Sequence, residues 1–113
     1  MPVLARVIEA VGISTVVVTM MPDLAERAGV PRIVGVEFPF AHNLGHAGER
    51  EEQMKVIRDA LRVLRDARQP NAVEHLPYEW PDFERWKREW HPSEPAPIIA
   101  YLLEQRRRAR AAE

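Results

Sequence analysis

Leu4, Val7, Ile8 and Val11 recur at the spacing of one helical face, so residues 2–11 are predicted to form an amphipathic helix ended by Gly12. Pro2 suits its first turn, where the missing N–H would have no partner anyway. From Thr15 to Thr19 every residue is β-branched and the pattern does not alternate. That is the signature of a short strand covered on both faces of a parallel sheet. Residues 22–28 predict a short helix, opened by Pro22 and Asp23 and stopped by Gly29. Residues 32–38 predict a second strand, and residues 39–48 a loop that carries Gly45, Gly48, His42 and His46. A longer helix is predicted over residues 49–68, with Met54, Ile57, Leu61 and Leu64 as its apolar stripe. Its first turn is acidic and its last basic, matching the helix dipole.

After Pro70 the texture changes. Leu76-Pro-Tyr-Glu-Trp-Pro81 cannot continue a helix, residues 83–90 suit about two helical turns, and residues 97–112 predict a last helix ending in an arginine cluster. Trp80, Phe83, Trp86 and Trp90 are expected to form a satellite core or a subunit interface, since aromatic residues concentrate at such contacts. The expected organisation is an α/β domain over residues 1–68, then a Pro- and aromatic-rich interface segment with a C-terminal helix over residues 69–113. Alternating helices and strands imply a small, Rossmann-like parallel sheet with right-handed crossovers. Two strands make a poor sheet. Either further strands escape the pattern or another chain completes the sheet, and this reading favours the second.

Composition narrows the function classes. A net charge of -1 gives no field for nucleic acid or anionic membrane. Among the aromatics, Lys87 and Arg88 are cancelled by Glu79, Asp82, Glu84 and Glu89, so no stacking platform for single strands is expected. No apolar run approaches the roughly 20 residues of a membrane span. The first residues lack the basic and apolar blocks of a secretory signal, and a cytoplasmic location is the default. There are no cysteines, so no disulfide, thiolate nucleophile or thiolate metal site can arise within these 113 residues.

Ligands of open α/β sheets bind beyond the carboxyl ends of the strands. Here that edge comprises Thr19, Met20 and Met21 after the first strand and residues 37–46 after the second. His42 is a candidate general acid or anion donor, set against an ordinary hydrogen-bonded loop histidine. Glu37, read as the end of a buried strand, is a candidate acid or base with a raised pKa, set against a salt bridge to Arg32 or another chain. Thr19, Met20, Phe40, Asn43 and Gly45 are the candidate substrate contacts. His42 and His46 stand four apart, but in a loop that spacing is no metal clamp, and neither a metal nor a cofactor is expected.

Two stretches, Gly12-Ile-Ser-Thr-Val-Val-Val-Thr-Met20 and Arg32-Ile-Val-Gly-Val-Glu-Phe-Pro-Phe-Ala-His-Asn-Leu-Gly45, carry a resemblance. Together with the order of elements over residues 3–64, they resemble the C-terminal part of component B, the selenoprotein B family, of the glycine, sarcosine, betaine and D-proline reductases. Ala41 departs from the glycine of one form of that family's turn. The resemblance implies reductive cleavage of a C–N bond in a small polar metabolite by a Cys or Sec just before the first helix. A helix N-terminus lowers the pKa of such a group. No residue here can inherit that role. Three arrangements account for this: a partner chain supplies the Cys or Sec, the true start lies upstream of a UGA codon, or the chain binds without catalysing. The first implies an oxidoreductase subunit in a hetero- or homo-oligomer, inactive alone. Its rival is a non-catalytic assembly module that keeps the fold.

Overall fold

A computed structural model describes residues 1–89 and 94–111. Trp90 and His91 lie outside the described residues. The elements run α1 (Pro2–Ala10), β1 (Val17–Thr19), α2 (Pro22–Arg27), β2 (Arg32–Gly35), α3 (Arg50–Asp66), β3 (Ala72–His75), α4 (Phe83–Glu89) and α5 (Pro97–Ala111). The three strands form an open parallel sheet in the order β1-β2-β3, a small α/β fold. Val17 pairs with Ile33 and Ile33 with Val73, while Gly35 pairs with both Thr19 and His75.

Strand β3 corrects the two-strand expectation. Ala72-Val-Glu-His75 has one β-branched residue and sits between Pro70 and Pro77, so it carries no strand periodicity. Its backbone register against β2 is what makes it a strand.

Alternate residues divide the sheet into two faces. Val34, Val36 and Phe38 pack with Val56, Ala60 and Val63 of α3, and Val16 and Val18 join them. Ile33, Val17 and Val73 turn the other way, against Ala5 of α1 and Ala25 of α2. Helices α2 and α3 therefore cover opposite faces, although both connections advance in the same direction across the sheet. The two crossovers then have opposite hands, against the expectation that both be right-handed, a rule with rare exceptions.

Both long apolar stripes read from the sequence are displaced from the core. In α1 the sheet contact is made by Ala5, whereas Leu4, Val7 and Val11 are mostly exposed. In α3 the buried positions are Val56, Ala60 and Val63. Met54, Ile57 and Leu64 are half-buried beside them, and Leu61 is exposed.

The chain parts into two compact units, Met1–Phe83 and Glu84–Glu113. The first holds the whole sheet and Trp80. In the second, α5 leaves Ile98, Ile99, Tyr101, Leu102 and Leu103 exposed, and Arg108 pairs with Glu104. Among the described residues no helix is long and apolar enough to cross a membrane.

Candidate functional site

The backbone ladder continues just past the strand ends. The Val36 N–H donates to the Thr19 carbonyl at 3.0 Å, and the Leu76 N–H donates to the Gly35 carbonyl at 2.9 Å. These bonds hold the loops after β2 and β3 side by side at the carboxyl edge, on the α3 side of the sheet. Phe38 is buried there, and the indole of Trp80 meets its edge at a centroid distance of 5.7 Å. The imidazole of His46 lies flat on Trp80, at 3.7 Å and 7°. His42 approaches the same indole at 4.9 Å. Tyr78 stacks on Phe38 at 6.5 Å and donates its hydroxyl to Asp59 of α3. That hydrogen bond, with burial, raises the phenol pKa above its ordinary value.

Glu52, in the first turn of α3, organises the loop. One of its oxygens accepts the backbone N–H of His46 at 2.7 Å and lies 2.9 Å from His46 Nδ1. The backbone bond is the main cause of a carboxyl pKa below the usual range. With its ring proton on Nδ1, His46 donates to the carboxylate, which orients the ring. Gln53 secures the same turn through the His46 carbonyl at 2.7 Å. Gly45, buried at φ +108°, makes room: a Cβ there would stand 2.6 Å from the Glu52 carboxyl carbon. His46, Glu49, Glu52, Lys55 and Tyr78 line an open cleft of about 390 Å³. Such a cleft joins an oriented imidazole to a carboxylate and an ammonium, a set able to bind a small zwitterion or move a proton.

The residues expected at the site are divided. His42 and Gly45 belong to the cluster around Trp80 and Glu52. His42 N–H closes a turn onto the Pro39 carbonyl at 3.0 Å, and its carbonyl accepts from Gly45 at 2.9 Å. Ala41, within that turn, takes φ +71°, a backbone region that suits glycine. Phe40 and Asn43 lie exposed on the loop. Glu37 corrects its reading: β2 ends at Gly35 and Glu37 is exposed. Its expected partner Arg32 instead bonds Glu9 at 2.8 Å. Glu9 also accepts the Thr15 backbone N–H, chiefly for which its pKa is lowered. Thr19 accepts from the Met21 N–H through its hydroxyl, at 3.0 Å. Met20 lines a different cleft, beside α2, with Pro22 and Leu24.

Sequence reasoning missed Glu52, Tyr78 and Trp80 as parts of this edge. Glu52 reads as one more acid of a helix start. Tyr78 and Trp80 read as an extension because β3, which delivers them, has no pattern of its own.

Comparison with known proteins gives one line of kinship. Over 78 residues the chain is 30% identical to the D-proline reductase subunit gamma of Acetoanaerobium sticklandii. The match takes in 69% of this chain and 32% of that protein, so the chain spans about a third of the length of the curated relative it matches. No family model matches the chain, and no solved structure matches it. What the comparison supports is a distant relationship to a reductase subunit.

Proposed function

We propose that this chain is a subunit of a reductase complex related to the D-proline reductases. In this reading it forms one wall of a pocket for a small polar metabolite, and a partner chain carries the Cys or Sec that attacks it. The observation that carries the reading is the 78-residue match to a reductase subunit. The absence of cysteine then requires the reactive chalcogen to come from outside these 113 residues. The loop of residues 37–46 supplies the polar wall. His42, 4.9 Å from Trp80 and without the carboxylate partner that holds His46, is the proton donor in this reading, Gly45 and Glu52 fix the loop, and Phe40 and Asn43 stand exposed towards an incoming partner or substrate. Glu37 and Thr19 complete the proposed edge, with Met20 on its α2 side. The setting proposed is cytoplasmic, where reduced thiols and selenols persist.

The test is reconstitution with co-purifying subunits, using D-proline as the first candidate substrate and related cyclic and N-methylated amines beside it. The isolated chain should be inert and the complex should consume a substrate reductively. His42→Ala should lower turnover at least tenfold with assembly intact. A complex that turns over unchanged with both His42→Ala and Glu37→Ala would leave this chain an assembly module.

A further inference from the structure

The largest apolar side chains of α1 are on the outside. Met1, Val3, Leu4, Val7, Val11 and Ile13 are 51–84% exposed. Val3, Leu4, Val7 and Val11 form one stripe by helical spacing, turned away from Ala5, which meets the sheet. These six expose on the order of 700 Å², above the roughly 300–600 Å² of the largest patch on a typical monomer and near the ~800 Å² per partner of a standard interface. The stripe is also uncharged. Glu9 is held by Thr15 and Arg32, and the Arg6 stem lies beside Gly29.

Next to this stripe the sheet is unfinished. Among the described residues β1 pairs with β2 alone, so alternate backbone groups of its outer edge have no strand partner. A groove of about 270 Å³ separates α1 from that strand, lined by Met1, Leu4, Ile8, Val16 and Val18. Helix α1 packs on a sheet face and leads directly into β1. That is the place of a crossover helix, whose other strand lies parallel to and beside the one it enters.

We propose that the free edge of β1 and the apolar stripe of α1 together seat a partner subunit. The partner lays an uncharged, β-branched strand parallel to β1 and covers α1 with an apolar surface. This rests on the reading of the chain as a subunit and adds where its partner docks. A second copy fits less well. Two copies meeting about a two-fold axis run their β1 strands antiparallel, and copies joined in parallel must meet head to tail through two different surfaces, of which the stripe of α1 is one. A different polypeptide supplies the parallel neighbour in a closed assembly. The matched relative is named as a subunit, which supports a second polypeptide as the neighbour.

The test places a photo-crosslinking side chain at Val7 and, as a control, at Glu51, in the full chain expressed in its source cells. The expected product joins Val7 to an apolar, extended segment of another subunit, identified by mass spectrometry, with no such product from Glu51. The Thr19 carbonyl faces β2, so within β1 the Val18 amide lies on the free edge; it should be protected from hydrogen exchange in the complex and exchange at least tenfold faster in the free chain. Val7→Glu and Leu4→Asp, both at exposed positions, should leave the free chain's circular dichroism unchanged and cut co-purified partner at least tenfold. A complex that survives both substitutions, with no adduct from Val7, overturns the docking site and leaves the subunit reading standing. An adduct between two copies of Val7 overturns the choice of occupant. A chain that leaves the cells as a lone monomer overturns the subunit reading and the docking site with it.

Discussion

Gly45 and Gly48 give a matched pair for testing how the candidate loop is held. Both take positive φ, +108° and +84°. Alanine at either place costs about 1–2 kcal/mol in the left-handed region, offset by about 0.4–1 kcal/mol from a stiffer unfolded chain. Gly48→Ala meets nothing within 4 Å, so it should lose that net amount, about 0.5–1 kcal/mol. Gly45→Ala adds a collision, because its Cβ would stand 2.6 Å from both the carboxyl carbon and Oε2 of Glu52. The carboxylate must then leave His46 N and Nδ1. Hydrogen bonds to a charged group contribute about 1.5–3 kcal/mol, and partial exposure lowers the loss to roughly 1–2 kcal/mol beyond the Gly48 value. Urea unfolding followed by circular dichroism and tryptophan emission measures both. In a Glu52→Ala background the extra cost of Gly45→Ala should vanish, a coupling of about 1 kcal/mol or more. Equal losses for the two glycine variants, or full additivity with Glu52→Ala, would refute the account of the loop.

Stability should fall in acid. Glu9 and Glu52 have folded pKa values below their ordinary 4.5, so what they contribute is present above that pH and lost as pH falls through the folded values. Urea midpoints from pH 7 to pH 3 should show the slope, and Glu9→Gln with Glu52→Gln should flatten it. Tyr78 behaves in the opposite sense. Its raised pKa keeps its contribution intact below the ordinary value of 10, and the contribution is lost as pH rises through the folded value. Tyr78→Phe should remove that alkaline loss at a cost of about 1 kcal/mol at neutral pH. Ile33→Ala, at a wholly buried position, should cost about 2–5 kcal/mol. Leu61→Ala, at a position 55% exposed, should stay within about 0.5 kcal/mol in the isolated chain. Similar losses for these two would contradict the buried place of Ile33 in β2 or the exposed place of Leu61 in α3.

The parts of the fold legible in the sequence are those where local chemistry acts alone. Pro2, Pro22 and Gly29 mark helix ends, and the β-branched run at Val16, Val17 and Val18 marks β1. Strand β3 was hidden because its residues have no strand preference and depend on pairing with β2. The helix stripes were misplaced for a different reason. The large apolar residues of α1 and α3 are periodic, yet in this chain smaller ones, Ala5 and Ala60 with Val56 and Val63, make the closest packing against the sheet. A periodic stripe reports that a face is to be covered, not that this chain covers it. The site was legible only in part. His42 and Gly45 follow from the rule that ligands gather at strand ends, but Glu52 and Trp80 reach that edge through α3 and β3. The expected Glu37–Arg32 pair failed because β2 ends two residues before Glu37 and Arg32 lies nearer Glu9.

Native mass spectrometry of the assembly isolated from source cells, with selenium and thiol content measured on each component, tests the central claim most directly. The account predicts the chain that carries these residues in fixed stoichiometry with a different polypeptide that contains cysteine or selenocysteine. A single species at the mass of the chain alone, or of its homo-oligomer, would contradict it.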